Sequence, residues 1–302
     1  MLWALVTLGT ILLLLLMDGL SGPVLPARRR FFKAAQGALL AAPAILTSHG
    51  VLVGRNEFHV KEVDIALPGL PKDLQGLRIL HLSDIHLSPF LSTKQLARVV
   101  DMSNETKPHL AVVTGDMVTG ARDPLDECLR ALQRLKSDAG TLGCMGNHEI
   151  FARAEARAKS LGARLGMNFL RQQSQLLRFG TANLNVAGVD YQPFRMPYLV
   201  GAEKLTRPDS VNLLLSHNPD VFDVAAEKGF ALTLAGHTHG GQVTVEILHQ
   251  WANVARMFTP YVYGHYRKTD SAIYVTRGIG TVGIPARLGA PPEITVIRLC
   301  AS

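Results

Sequence analysis

Cysteine is scarce: Cys128, Cys144 and Cys300 are odd in number, far apart and free of any C-x-x-C pair, which excludes a disulfide framework and a structural zinc site held by thiolates. Aromatic residues make up 6% and charged residues 18% of the 302 positions. Hydrophobic residues reach 47%, so a disordered or collagen-like chain is excluded and a sizeable core is available. A strong excess of one charge is also missing. The net +7 divides unevenly: residues 1–53 carry Arg28, Arg29, Arg30 and Lys33 against Asp18, or +3, which leaves only +4 for the other 249 residues. That bias is too mild for a nucleic-acid surface. No repeat with a period of 20–50 residues and no low-complexity segment occurs.

What is present begins at the front. Met1–Met17 holds no charged side chain and at about 1.5 Å per residue reaches about 26 Å, the short end of a membrane crossing. No positive charge precedes this run, unlike an ordinary cleavable signal. The basic cluster at 28–33 follows instead, and by the positive-inside bias it sits in the cytoplasm. A second, weaker apolar stretch fills 34–53. Arg-Arg-Arg-Phe-Phe-Lys before it resembles a twin-arginine export signal; a stop-transfer cluster followed by an interfacial or second membrane helix is the other reading. Residues 1–53 are thus expected to tether the chain to the cell membrane; the export reading and a two-helix hairpin both put the remaining domain, 54–302, on the extracytoplasmic side, and only a peripheral second segment would leave it inside.

From Phe58 onward short apolar runs alternate with amphipathic stretches. Strands are expected from Val60, Val63, Ile65 and Leu67, and at 77–82, 110–114, 175–179, 184–189, 211–215, 230–234, 272–276 and 293–299. Ser92 reads as a helix N-cap, Leu125, Cys128, Leu129, Leu132 and Leu135 repeat at helical spacing, and 151–165 reads as a helix. The alternation describes an α/β layered domain.

The chemistry lies where apolar runs end. After LRILHL come Asp84 and His86; after LAVVT comes Asp116; after GTLGCM come Asn147 and His148; after VNLLL comes His217; after FALTLA come His237 and His239. Strand ends in α/β sheets share one edge, where ligands bind. Five ends bring seven oxygen and nitrogen candidates together: Asp84, His86, Asp116, Asn147, His217, His237 and His239. Gly115, Gly146 and Gly236 precede candidates and permit a tight turn. The D-x-H and H-x-H pairs, on extended backbone, point each pair one way. Seven such ligands exceed one tetrahedral ion and suit two divalent ions, manganese, iron or zinc, sharing a carboxylate.

This ordered set, D-x-H (84–86), G-D (115–116), G-N-H-E (146–149), His217 and G-H-x-H (236–239), resembles the calcineurin-like metallophosphoesterases over about 77–299. HLSDIH, SHNPD, GHTHGGQ and the late PPEI are similar to the branch of bacterial enzymes with membrane-anchor or export-signal N-termini. The resemblance implies a four-layer α-β-β-α sandwich, two packed mixed sheets flanked by helices. It implies that Asp84, His86 and His239 hold one ion, that Asn147, His217 and His237 hold the other, and that Asp116 bridges. His148 would face the substrate, and hydroxide generated between the ions would attack phosphorus. Family members often have a second Asp, G-D-x-x-D, beside that histidine. Here the position is Thr119, whose hydroxyl is expected to accept from His148 without stabilising its charge.

Trp251, Phe258, Tyr261, Tyr263 and Tyr266 fall within sixteen residues; they read as packed core, or as an apolar lip for a lipid-linked phosphate. Arg287 has two readings, a bidentate phosphate grip or a structural ion pair. The expectation is a membrane-tethered hydrolase of phosphodiester or pyrophosphate bonds on envelope lipids or lipid-linked substrates, without nucleic acid. A UDP-diacylglucosamine pyrophosphatase role in lipid A synthesis needs a cytoplasmic site. A non-catalytic metal-binding scaffold is the alternative from another class.

Overall fold

The computed structural model describes residues 26–193, 197–242 and 253–302. Helix α1 runs Pro26–Leu52, so the basic cluster and the second apolar stretch lie on one helix; the chain divides into two compact units after Val53. Among the described residues no helix is long and apolar enough to cross a membrane. The expected crossing at Met1–Met17 lies outside the described residues.

The second unit carries, in chain order, β1 His59–Leu67, β2 Arg78–Leu82, α2 Thr93–Glu105, β3 Leu110–Thr114, α3 Leu125–Leu132, β4 Thr141–Cys144, α4 Asn147–Phe151, α5 Glu155–Arg164, β5 Met167–Phe169, β6 Gln173–Phe179, β7 Ala182–Gly188, β8 Val211–Leu215, α6 Phe222–Glu227, β9 Leu232–Ala235, β10 Gly264–Lys268, β11 Ser271–Val275 and β12 Glu293–Ala301. They form two six-stranded sheets, ordered β1-β12-β2-β3-β4-β5 and β10-β11-β9-β8-β7-β6. Both are mixed: β2, β3, β4 and β5 run parallel, as do β7, β8, β9 and β11, while β12 is antiparallel to β2 and β6 and β10 are antiparallel to their neighbours.

Strand alternation sorts the apolar side chains into layers. Ile79, Val112 and Leu142 of one sheet join Val186, Leu213 and Leu234 of the other in a core between the sheets. Their neighbours Leu80, Ala111 and Val113 turn outward under α2, α3 and α5, where Leu96, Val99, Leu129 and Leu161 cover them. On the far side Phe222 of α6 packs on Ala235, Ile273 and Val275. The result is an α/β fold of two mixed sheets flanked by helices.

Ser92 caps α2 as its sequence suggests: its hydroxyl accepts from the Gln95 N–H at 3.3 Å and the Gln95 side chain accepts from the Ser92 N–H at 2.7 Å, a reciprocal arrangement worth about 1 kcal/mol. The helix expected at 151–165 is interrupted, because Arg153 adopts a left-handed φ of 53° that ends α4 and separates it from α5. The helix beginning at Leu125 stops at Leu132 rather than Leu135. Strands β5 and β10 were not expected: the first has only three residues and the second, Gly-His-Tyr-Arg-Lys, is a polar edge strand.

Candidate metal centre

The carboxyl ends of β2, β3, β4, β8 and β9 deliver their polar side chains to one place. Oδ2 of Asp116 lies 3.0 Å from His217 Nε2, 3.5 Å from His86 Nε2 and 4.0 Å from His148 Nε2. Oδ1 of Asp84 lies 3.4 Å from His239 Nε2, and His86 Nε2 is 3.1 Å from His239 Nε2. Two groups with ligand-type atoms within 4.8 Å of one another emerge: Asp84, His86 and His239, and Asp116, His217 and His237. Asp116 also groups with His86 and His148, so its carboxylate stands between the two sets.

Backbone shape aims these side chains. Asp84, His86, Asp116, His237 and His239 have φ of 51°, 47°, 53°, 74° and 52°. Each is left-handed, at a cost of about 1 kcal/mol or more, and such strain collects at functional sites. The extended backbone expected for D-x-H and H-x-H is therefore replaced by left-handed turns. Interlocking bonds hold them: Asp84 N–H to Gly115 O at 3.1 Å, His86 N–H to Asp116 O at 2.9 Å, and His237 N–H to the Asp84 carboxylate at 3.0 and 3.1 Å. The preceding glycines serve different ends. Gly115 supplies φ of 90°, and a Cβ there would strike the Gly146 backbone. Gly146, itself extended, and Gly236 leave room for the Asp116 and Asp84 carboxylates.

Two residues outside the expected set complete the scaffold. Buried Glu149 accepts from the N–H groups of Gly146, Asp116 and Met117 at 2.8, 2.8 and 2.7 Å, tying the β3 and β4 loops together. Its place three residues past Gly146, a capping-box spacing, is the signal in the sequence that marks it. Tyr191, 5.3 Å from the His237 ring, leaves no such signal.

Charge and burial act in opposition here. Burial takes His86 and His237 down to about 3, and His239 well below its ordinary value. Burial also works against charge on His217, yet Asp116 and Asp84 outweigh it and hold that imidazole up to about 10. Burial opposes ionisation of Asp116, but His217 and His86 keep its carboxyl below the usual range; Asp84 is raised by its burial. The centre thus offers neutral imidazole lone pairs at His86, His237 and His239, while its carboxylates draw positive charge onto His217. Asn147, carried at the start of α4, adds a buried Oδ1 with no hydrogen-bond partner among the described residues. An orphaned acceptor beside nitrogen and carboxylate donors fits divalent cations.

Two expectations are corrected. The Thr119 hydroxyl does not meet His148: the Thr119 carbonyl accepts from His148 Nδ1 at 2.7 Å, and the hydroxyl lies 3.1 Å from His86 Nδ1. Arg287 is 1% exposed and donates to the carbonyls of Gly280, Ala290, Arg277 and Gly278, with its guanidinium 3.3 Å from His239 Nδ1. It braces the backbone behind His239 and does not face the open rim.

The aromatic group divides. Tyr261 and Tyr266 pack against the Phe222 layer, Tyr263 lies under the Arg277 guanidinium, and Trp251 falls outside the described residues. Phe258 is 69% exposed and lines a cavity of about 260 Å³ with His237, Asn218 and Thr259. Phe151 is 70% exposed, its ring 5.5 Å from that of His148.

Paired mixed sheets with imidazole, carboxylate and amide donors converging on one rim, and no thiolate among them, define a metal-dependent hydrolase centre. Residues 77–241 match the family model described as calcineurin-like phosphoesterase, and the chain belongs to that family as a metal-dependent phosphoesterase. It is 30% identical over 285 residues to the uncharacterized metallophosphoesterase YkuE of Bacillus subtilis, covering 90% of this chain and 97% of that one. It is also 30% identical to a transmembrane protein with metallophosphoesterase domain from Danio rerio, over 86% of this chain and 61% of the relative. Among solved structures, the protein TT1561 of Thermus thermophilus aligns with a TM-score of 0.45 at 14% identity, over 68% of this chain and 90% of that one. A dimetal phosphatase from Danio rerio aligns with a TM-score of 0.41 at 11% identity, over 68% and 88%.

Proposed function

We propose that the chain hydrolyses phosphodiester or pyrophosphate bonds of lipid or lipid-linked substrates at the cell membrane, using two divalent ions. The observation that carries the reading is the Asp116 carboxylate, placed between Asp84–His86–His239 on one side and His217–His237 on the other. Asp84, His86 and His239 would hold one ion, Asn147, His217 and His237 the second, and Asp116 both. When bound, such ions activate water and neutralise phosphoryl oxygens. The chain's own residues do the rest. Glu149 fixes the Asp116 loop, and the His148 N–H donates to Asp116 Oδ1 at 2.9 Å, which aligns the helix that carries His148. With Nδ1 held by the Thr119 carbonyl, His148 directs Nε2 to the rim, where it can deliver a proton to a leaving oxygen.

Exposed Phe151 and Phe258 flank the centre on the His148 and His237 sides, which supports an apolar moiety next to the scissile phosphate. The uncharged Met1–Met17 run supports tethering, and the Arg-Arg-Arg-Phe-Phe-Lys stretch, similar to an export signal, supports an extracytoplasmic catalytic unit. Turnover of bis-p-nitrophenyl phosphate by the full chain should vanish on chelation and return with manganese; no turnover with any divalent metal would instead favour a scaffold. A reporter fused after Ser302 should register outside the cytoplasm. Cytoplasmic signal would overturn that sidedness and admit the lipid A pyrophosphatase role.

A further inference from the structure

Thr119 has no atom among the metal-holding or proton-delivering groups, yet two histidines of the centre turn their outer ring nitrogens to it. Its hydroxyl lies 3.1 Å from His86 Nδ1, and its carbonyl accepts from His148 Nδ1 at 2.7 Å. The two rings meet edge to face, with centroids 4.7 Å apart, and their Nε2 atoms stand 3.5 and 4.0 Å from the same oxygen of Asp116. One residue is thus linked through two imidazoles to the carboxylate between the two sets. Thr119 is itself pinned, because the Asp123 carboxylate accepts from the N–H groups of Thr119 and Gly120, both at 2.8 Å.

The two oxygens of Thr119 differ in what they can do. A carbonyl only accepts, so His148 must carry hydrogen on Nδ1. A hydroxyl accepts or donates; it favours Nδ1–H on His86, and so frees His86 Nε2 as a lone pair, when it accepts. Resting on the dinuclear phosphoesterase reading, we infer that Thr119 is a positioning residue for both histidines, its side chain setting the tautomer of His86 and its main chain that of His148. The two effects are separable by substitution. Removing the hydroxyl acts on His86, and through it on the ion held with Asp84 and His239, while the partner of His148 stays in place.

The test compares full-length wild-type protein with Thr119→Val and Thr119→Ser. Manganese binding is followed by titration calorimetry, and the ring nitrogens of the metal-free proteins by ¹⁵N–¹H correlation spectra. Thr119→Val should weaken one of two manganese sites by about tenfold. It should change the tautomer signature of His86 and leave that of His148 unchanged, and Thr119→Ser should restore both affinity and signature. Two wild-type sites with Thr119→Val binding both equally well, or Thr119→Ser as weak as Thr119→Val, would overturn the role of Thr119 alone. Wild-type protein that binds none of manganese, iron or zinc would overturn the dinuclear reading together with this one.

Discussion

Single side chains in this protein are set by the balance between burial and nearby charge. His217 and His81 are both fully buried, but only His217 faces carboxylates. His81, on β2 beneath the centre, meets the Thr114 hydroxyl at 2.8 Å, and burial alone takes its imidazole down to about 3. In the unfolded chain a histidine titrates near 6.5. Between those values the unfolded state binds a proton that the native state refuses, so stability contributed by this site is lost as pH falls, by about 1.4 kcal/mol per pH unit. His81→Gln should flatten the acid limb of the metal-free stability curve by about one proton between about pH 6 and pH 4, measured by urea unfolding across that range. An unaltered slope would mean that His81 titrates alike folded and unfolded. At this scale the sequence marked chemistry better than partners. The convergence of Asp84, His86, Asp116, His217, His237 and His239 follows from their places after apolar strands. Which oxygen of Thr119 meets which histidine depends on a turn conformation that residue identity leaves open. Arg287 reads in the sequence as a phosphate grip or an ion-pair partner, and neither reading shows its burial among backbone carbonyls, because burial is not written in a single letter.

Elements were legible where a mostly apolar run of about five residues fills a buried strand, as in β2, β3 and β8. They were illegible where pairing rather than composition makes the strand. β5 exists because Met167–Phe169 lies in register with 141–143 of β4, and β10 because its polar residues pair with β11. The left-handed turns after the strands are the other hidden part, since aspartate and histidine take that conformation only under tertiary constraint. Gly115 is where such a turn is least forgiving. Its φ of 90° disfavours any side chain, and a Cβ would collide with the Gly146 backbone rather than with a flexible chain end. Gly115→Ala should therefore destabilise the protein by about 2–4 kcal/mol. Urea unfolding reads the loss, and metal analysis should find the variant depleted because Asp116 moves with the turn. Gly140→Ala is the comparison: φ is 81° there but no atom lies within 4 Å of the added carbon, so only the smaller conformational cost, about 1 kcal/mol, should appear. Equal losses at the two glycines would remove steric contact as the cause.

At the scale of the whole molecule, the centre is assembled from both sheets. Asp84, His86, Asp116 and Asn147 follow strands of one sheet, and His217, His237 and His239 follow strands of the other. Buried carboxylates and imidazoles brought together across two sheets are an electrostatic load in the metal-free fold that a protonated His217 offsets only in part, and cations that bind only the folded arrangement lift stability by mass action. Manganese at about a hundred times its dissociation constant should contribute about 2.7 kcal/mol per site, a rise of about 5–10 °C in unfolding temperature. The rise should keep growing with metal concentration and disappear on chelation. The position of Asp116 then sorts the sites. Its Oδ2 is within 3.5 Å of both His86 and His217, one from each set, whereas His237 belongs to one set only. Asp116→Asn should thus abolish most of the shift from both ions, and His237→Asn only the part due to one. Thermal scans with stepped manganese read the difference. If Asp116→Asn kept one full-strength site while His237→Asn lost both, the carboxylate would not be what joins the two halves, and the sheets would carry separate centres.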